Sequence, residues 1–225
     1  MVAGTLGGHA ALGAPLVDSQ QAKAAREQLV DRIAMGTRVR DRRVLEALRA
    51  VPRHLFVAAS LEEAYQDRPL PIPFGQKISQ PTVVGMMTQA LELSAEHHVL
   101  EIGTGSGYQA AVLSRLAARV NSIEIVPELG GAARARLIAL GYANVEVRIG
   151  DGYQGWPERA PFDRILLTAA PPRLPQSLID QLAPGGIIVA PVGQQRHQRL
   201  VRWRKVGERL TEEDLGPIAF VPMVH

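Results

Sequence analysis

The sequence lacks cysteine entirely and contains only three lysines, Lys23, Lys77 and Lys205. Without cysteine the chain can form no disulfide, no thiolate nucleophile and no cysteine metal site. The six histidines show no paired ligand spacing with carboxylates, so we expect no bound metal. The 25 basic residues are interspersed with 22 acidic ones rather than gathered into a block. We therefore expect no nucleic-acid partner, although the pI is about 9.6.

Long hydrophobic runs are also absent. The apolar segment at 185–193 is far shorter than the roughly 20 residues that a membrane-spanning helix needs. The N-terminal residues lack the basic and compact apolar parts of a secretory signal. A chain of 225 residues that is 46% hydrophobic can nevertheless bury one sizeable core. We expect a cytoplasmic, monomeric protein without a membrane partner.

The N-terminal part of the chain is predicted to be a tail followed by helices. Residues 1–18 carry no hydrophobic period and many small residues, which is typical of a flexible tail. Helical spacing of apolar residues then predicts one helix from Ser19 to Gly36 and a second across 44–51. Pro52 ends the second helix because proline cannot supply the next backbone donor.

A proline-rich segment at 68–81 interrupts this helical region. Its composition predicts a loop, since closely spaced prolines cannot propagate a long helix or a central strand. Helical spacing returns across 82–93. We therefore expect 19–225 to form one domain, in which 19–97 supply a helical cover and a loop, and 98–225 form an α/β core.

From residue 98 onward, short β-rich apolar runs alternate with amphipathic segments, a pattern that predicts a parallel sheet. The expected fold class is α/β, a doubly wound Rossmann-like domain whose mostly parallel sheet has an antiparallel C-terminal strand and a helical N-terminal cover. The predicted strands are 98–102, 120–126, 145–149, 164–168 and 186–191, with helices at 108–118, 128–140 (closed by Gly141) and 175–182 (closed by Gly185), and an antiparallel pair at 199–206 and 218–224.

A glycine-rich turn links the first predicted strand of the core to the following helix. Gly103, Gly105 and Gly107 leave the backbone free of side chains there, so a ligand can approach the helix N-terminus closely. Glu124 follows 17 positions after Gly107 at the end of the next strand, where a carboxylate can accept hydrogen bonds from ribose hydroxyls. A dinucleotide would require glycine where Tyr108 stands, which argues against an NAD-dependent oxidoreductase.

Two further polar residues are expected at the same edge of the sheet. Asp151 follows the third strand between Gly150 and Gly152, and Thr168 ends the fourth strand. Each has a structural alternative, because aspartate is common in tight turns and Thr168 can serve packing alone. Glu101 likewise can be a strand-end carboxylate satisfied by backbone donors.

The pattern E-x-G-x-G-x-G, from Glu101 to Gly107, resembles motif I of the class I methyltransferases. The segments VLEALRAVPRHLFV, PIPFGQKISQP, GDGYQGWPERAPFDRILLTAAPP and LAPGGIIVAPVG resemble, in order and spacing, the protein-L-isoaspartate O-methyltransferases over about 38–224. The resemblance implies methyl transfer from S-adenosyl-L-methionine to the free α-carboxylate of L-isoaspartyl residues in damaged proteins and peptides. S-adenosyl-L-homocysteine is the product, and the ester begins repair by closing to a succinimide.

The resemblance also implies roles for individual residues. Ser79 is expected to be the catalytic residue that orients the reacting carboxylate by a hydrogen bond, with Ile78 and Val221 as further substrate contacts. Since a carboxylate is already ionised at neutral pH, position matters more than a strong base. Glu101 would offset the cofactor's ammonium, directly or through water, and Asp151 would accept from its adenine amino group. The expected cofactor-binding residues are Glu101, Gly103, Thr104, Gly105, Ser106, Gly107, Glu124, Ile125, Asp151, Gly152 and Thr168.

Two residues depart from the family pattern, both in the proline-rich loop. Lys77 stands where threonine is usual, and Pro73 stands where glycine is usual. We expect these departures to affect the flexibility of the loop and the way it covers the cofactor more than they affect the reaction. The ammonium of Lys77 could attract the substrate carboxylate.

Two other functions remain open from the sequence. One is a class I methyltransferase acting on RNA or a small molecule, against which the KISQP loop and the lack of an N-P-P-Y-like motif after the fourth strand both argue. The other is a module that senses S-adenosylmethionine without catalysis, which cofactor consumption would distinguish.

Overall fold

The computed structural model describes residues 17–194 and 197–225. Most of the predicted tail, residues 1–16, lies outside the described residues. Asp18, the last residue of that prediction, forms an ion pair with Arg26 at 2.9 Å. Helix α1 (Gln20–Gly36) begins just after Ser19, whose hydroxyl accepts a hydrogen bond from the Ala22 N–H.

Three more helices complete the N-terminal cover: α2 (Arg42–Ala50), α3 (Leu61–Ala64) and α4 (Pro81–Ala90). The Asp41 carboxylate caps α2, and α3 has a capping box between Ser60 and Glu63. Helix α3 is an element that the sequence pattern did not indicate, since four residues are too few to show a hydrophobic period.

The proline-rich loop folds into a small antiparallel hairpin of β1 (Leu70–Pro71) and β2 (Lys77–Ile78). Its turn contains Phe74 and Gly75, both at positive φ. The side chains of Leu70 and Ile78 are buried in the core. These two buried side chains attach the hairpin to the body of the protein. The segment forms neither a long helix nor a central strand, as its proline content predicts.

Seven strands form the central sheet: β3 (His98–Ile102), β4 (Arg119–Glu124), β5 (Val145–Ile149), β6 (Phe162–Leu167), β7 (Leu182–Val192), β8 (Gln198–Val206) and β9 (Arg209–Ile218). Their order is β5-β4-β3-β6-β7-β8-β9. The first five of these along the chain are parallel, and β8 and β9 are antiparallel to their neighbours. The predicted doubly wound, mostly parallel fold is confirmed.

The prediction of a strand at 218–224 was wrong, because the charged stretch before it forms β9 instead. Strand β9 lies at one edge of the sheet, where β8 is its only partner among the described strands, and it is largely exposed, so it needs no apolar pattern. Its acidic residues meet basic ones on β8, as in the Arg199–Asp214 and Arg202–Glu213 ion pairs.

Three helices connect the parallel strands: α5 (Tyr108–Ser114), α6 (Pro127–Ala139) and α7 (Gln176–Asp180). Helix α5 is shorter than predicted, because the Asn144 side-chain amide donates to the carbonyls of Ser114 and Ala117 and caps its end. Helix α7 also ends early, since Leu182 already pairs with Phe162 in the sheet. Gly185 therefore lies within β7 and does not terminate a helix.

The strand order reverses between β3 and β6, which are neighbours in the sheet although β4 and β5 intervene along the chain. Ligands of open α/β sheets bind outside the carboxyl ends of the strands at such a reversal. Within the part of the chain that the structure describes, no helix is long and apolar enough to cross a membrane.

Candidate active site

The glycine-rich turn lies at the carboxyl end of β3. Gly103, Gly105 and Gly107 have φ values of 99°, 55° and 89°, which side chains other than glycine rarely adopt. A Cβ added at Gly103 would overlap the hydroxyl of Thr168, and one at Gly107 would lie 3.2 Å from Leu137. The turn therefore requires glycine both for its backbone angles and for its close packing.

Glu124 is fixed at the end of β4 by the neighbouring backbone. Its Oε2 accepts from the Gly105 N–H at 2.8 Å, and its Oε1 accepts from the Val126 N–H at 3.0 Å. Each carboxylate oxygen can accept a further hydrogen bond. The side chain is thus a rigid acceptor beside the glycine turn.

These residues border an open cavity, which we call the main cleft. It contains about 700 Å³ of empty space, which includes its open mouth. Six predicted cofactor-binding residues line it: Gly103, Gly105, Glu124, Ile125, Gly152 and Thr168. Thr104 and Ser106 instead line a smaller cavity beside it, which we call the recess.

Glu101 lies in the interior and not on the wall of the main cleft. It has no exposed surface, and its Oε2 accepts from the Ser122 hydroxyl at 2.5 Å. The Ser122 oxygen is 2.6 Å from the Thr104 hydroxyl, so this buried chain reaches the glycine turn. Burial raises the pKa of Glu101 to about 8. Its Oε1 has no hydrogen-bond partner among the described residues.

Asp151 lies beside the main cleft, while its neighbour Gly152 lines it. The Asp151 Oδ1 accepts from the Tyr153 N–H at 2.8 Å, and Oδ2 lies 3.1 Å from His225 Nδ1. The His225 ring stacks on Tyr153 with centroids 4.0 Å apart. Burial raises the pKa of Asp151, but the hydrogen bonds from His225 and Tyr153 outweigh it and hold the pKa below its ordinary value. Sequence reasoning missed His225, since no local motif links it to Asp151.

Ser79 follows β2 and borders both the recess and a second, larger cavity, which we call the proline groove. Ile78 lines only the recess and Val221 only the main cleft and the groove. The residues that line the proline groove are Pro69, Lys77, Ser79, Gln80, Val83, Thr168, Ile218, Ala219, Phe220, Val221 and Pro222.

The main cleft and the proline groove share part of their walls. Lys77, Thr168, Val221 and Pro222 line both cavities. Backbone hydrogen bonds fix the C-terminal part of this shared wall, because Ala170 donates to Val221 at 2.8 Å and accepts from Met223 at 2.9 Å. A group bound in one cavity can therefore meet a group bound in the other.

Arg53 supports the loop that carries Ser79, and sequence reasoning did not find it. Its fully buried guanidinium donates to the carbonyls of Ala64, Arg68 and Ser79 at 2.9, 3.1 and 2.8 Å. It also lies 5.3 Å from the centre of the Tyr108 ring. Burial lowers the pKa of Arg53. An arginine after a helix-ending proline gives no sequence signal of such burial.

The described residues contain no candidate metal site. Across 17–194 and 197–225, no group of three or more histidine, aspartate or glutamate side chains is arranged to hold a metal ion.

Comparison with known proteins identifies what this arrangement resembles. The profile of the family described as protein-L-isoaspartate(D-aspartate) O-methyltransferase matches residues 24–225. A protein-L-isoaspartate O-methyltransferase from Synechococcus sp. is 51% identical over 226 residues, covering 94% of this chain and 93% of that relative. One from Anaeromyxobacter dehalogenans is 56% identical over 191 residues, covering 83% and 91% of the two chains.

Solved structures give the same result for the fold. A protein-L-isoaspartate O-methyltransferase superposes with a TM-score of 0.82 at 29% identity, covering 89% of this chain and 66% of that chain. A Plasmodium falciparum protein of the same description, in complex with S-adenosyl-L-homocysteine, gives a TM-score of 0.77 at 21% identity over 88% of this chain and 98% of that one.

Proposed function

Since the chain belongs to the protein-L-isoaspartate(D-aspartate) O-methyltransferase family, we propose that it carries out this family's reaction where the main cleft meets the proline groove. The enzyme uses S-adenosyl-L-methionine and methylates the free α-carboxylate of L-isoaspartyl residues, which begins their repair through a succinimide. The observation that carries the proposal is the shared wall of Lys77, Thr168 and Val221.

Two features fit this cofactor in the main cleft. The first is the glycine turn, where side-chain-free backbone permits close approach of a nucleoside. The second is the unpartnered Oε1 of Glu101, a buried carboxyl oxygen that Ser122 and Thr104 link to the turn and that the cofactor's ammonium would satisfy, directly or through water. Glu124 would accept from the ribose hydroxyls through lone pairs that Gly105 and Val126 leave available. Asp151 would accept from the adenine amino group.

When bound, S-adenosyl-L-methionine supplies an electrophilic methyl group on a positively charged sulfur. The substrate carboxylate would accept this methyl group, and the S–C bonding electrons would leave with S-adenosyl-L-homocysteine. No proton is transferred, so the protein needs no strong general base. The task of the side chains is to hold the carboxylate in line with the methyl group and to exclude water.

Ser79 is suited to hold that carboxylate in the proline groove. Its hydroxyl would donate to one carboxylate oxygen, and Arg53 keeps its backbone in place through the 2.8 Å hydrogen bond to the Ser79 carbonyl. Val83, Phe220 and Pro222 provide an apolar wall around this position. Ile78 and Val221 would contact the flanking peptide through their backbone, since main-chain recognition tolerates many flanking sequences.

The remaining partner and location assignments also belong to this proposal. We propose that the substrates are isoaspartyl proteins and peptides, and that the enzyme acts as a monomer in the cytoplasm without nucleic-acid partners. The interspersed charges of the sequence support the last of these assignments.

The test is methylation of two peptides that differ only in one linkage. One peptide contains L-isoaspartate and the other contains aspartate at the same position, and transfer is followed with cofactor labelled in the methyl group. We expect a base-labile methyl ester on the isoaspartyl peptide alone. Equal labelling of both peptides would contradict the proposed substrate, and cofactor binding without any transfer would favour a sensor.

A further inference from the structure

Lys77 has a position that its sequence neighbours do not share. It lines the main cleft, the proline groove and the recess. Thr168 is the one other residue that lines all three of these cavities. Among the described residues that line the groove and the recess, Lys77 is the only charged one. A negatively charged group entering the groove therefore meets this single cation.

The Lys77 ammonium makes no ion pair and no hydrogen bond with any other residue among those the structure describes. The Lys205 ammonium, by contrast, donates to the Leu182 carbonyl at 2.9 Å. Lys77 is exposed, whereas the next residue, Ile78, is buried in the core. Lys77 and Ser79 both line the proline groove and the recess.

We propose, resting on the function proposed above, that Lys77 is a substrate-positioning residue that pairs with the reacting carboxylate alongside Ser79. An isoaspartyl residue brings one negative charge into the groove, its free α-carboxylate. Ser79 can neutralise none of that charge, and within 17–194 and 197–225 no other cationic side chain belongs to a residue that lines the groove. An ammonium–carboxylate hydrogen bond is about twice as strong as a neutral one.

The change of charge during the reaction predicts which kinetic constant Lys77 controls. The substrate carboxylate is negative before methyl transfer and neutral afterwards, because the product is an ester. The ammonium therefore stabilises the bound substrate more than the transition state or the product. Lys77 should lower KM without raising kcat, and loss of the ion pair in the ester should favour product release.

The experiment compares Lys77→Gln, Lys77→Arg and Lys23→Gln in the full-length chain. Lys23 is an exposed lysine of α1 and serves as the matched control. Calorimetry measures the binding of two peptides to protein loaded with S-adenosyl-L-homocysteine. One contains isoaspartate, and the other carries an amide in place of its α-carboxylate.

We expect Lys77→Gln to weaken binding of the isoaspartyl peptide about tenfold and to remove its dependence on salt. Binding of the amide peptide and of S-adenosyl-L-homocysteine should not change, so the effect belongs to the carboxylate. Lys77→Arg should bind close to the wild type, and Lys23→Gln should match it. In turnover, Lys77→Gln should raise KM by about the same factor with kcat unchanged or higher.

Four results would overturn the proposal. Equal loss of affinity for both peptides would show that Lys77 supports the loop and not the carboxylate. Weaker binding of S-adenosyl-L-homocysteine would assign the ammonium to the cofactor. Normal methylation by the wild type with an unchanged KM in Lys77→Gln would remove the role of Lys77 and leave the proposed function intact. A wild type that methylates no isoaspartyl peptide would remove both.

Discussion

Replacing Glu101 by glutamine is predicted to make the stability of the cofactor-free protein less dependent on pH. Glu101 has no exposed surface. Burial raises its pKa from the ordinary value of 4.5 to about 8, although the hydrogen bond from Ser122 acts in the opposite direction. At pH 7 the native state therefore keeps this proton, while the unfolded state has lost it.

The sign and the size of the effect follow from this difference in protonation. Below about pH 4.5 both states bind the proton, and the stability contribution of Glu101 is fully present. Between pH 4.5 and about 8 the unfolded state alone ionises. The free energy of unfolding then falls by about 1 kcal/mol for each pH unit. For a domain of this length that corresponds to about 2 to 4 °C in Tm per pH unit.

Thermal unfolding followed by circular dichroism from pH 5 to pH 8 measures the effect. The Tm of Glu101→Gln should rise relative to the wild type by about 2 to 4 °C per pH unit, because glutamine cannot ionise in either state. Only the change of this Tm difference with pH is compared, because replacing the carboxyl group by an amide can also shift Tm by an amount that does not depend on pH. Glu208→Gln is the matched control, because Glu208 is exposed in the turn between β8 and β9.

The Tm difference between Glu208→Gln and the wild type should be the same at every pH. A constant difference between Glu101→Gln and the wild type would refute the reasoning, as would one that shrinks as pH rises. Either result would mean that Glu101 is ionised in the native state at neutral pH.

Three further substitutions test other parts of the site. Ser79→Ala should lower kcat because the carboxylate loses an orienting donor, while affinity for S-adenosyl-L-homocysteine is retained; the reverse pattern in kinetics and calorimetry would assign Ser79 to the cofactor. Asp151→Ala should weaken binding of S-adenosyl-L-homocysteine by about 1 to 3 kcal/mol, and unchanged affinity in calorimetry would remove Asp151 from the site. Arg53→Met should lower the free energy of unfolding by about 2 to 4 kcal/mol, since three carbonyls lose their donor; urea unfolding checks this, and a loss no larger than that of the exposed control Arg42→Met would contradict it.

Local patterns in the sequence predict most of the sheet and the glycine turn. Strands β3 and β5 occupy the predicted residues, and the alternation of strands and helices indicates the parallel core. Strand β3 is buried along most of its length, so its apolar run stands out, whereas β5 is marked by alternating apolar and charged residues. Edge strand β9 shows no such run, because solvent covers most of it and cross-strand ion pairs replace apolar packing. Helix lengths depend on partners such as Asn144, which come from distant parts of the chain.

For the site, the sequence alone determined which residues follow the parallel strands: the glycines of the turn, Glu124, and Asp151 with Gly152. Because these strands are parallel, their carboxyl ends lie at one edge of the sheet, so the sequence pattern predicts that these residues lie near one another. Tertiary structure decided which of these residues line the main cleft, and that Glu101 is buried away from it. It also decided that Arg53 holds Ser79, that His225 pairs with Asp151, and that Lys77 borders three cavities. These features depend on side chains far apart in sequence meeting in a packed interior, and no local periodicity encodes such contacts.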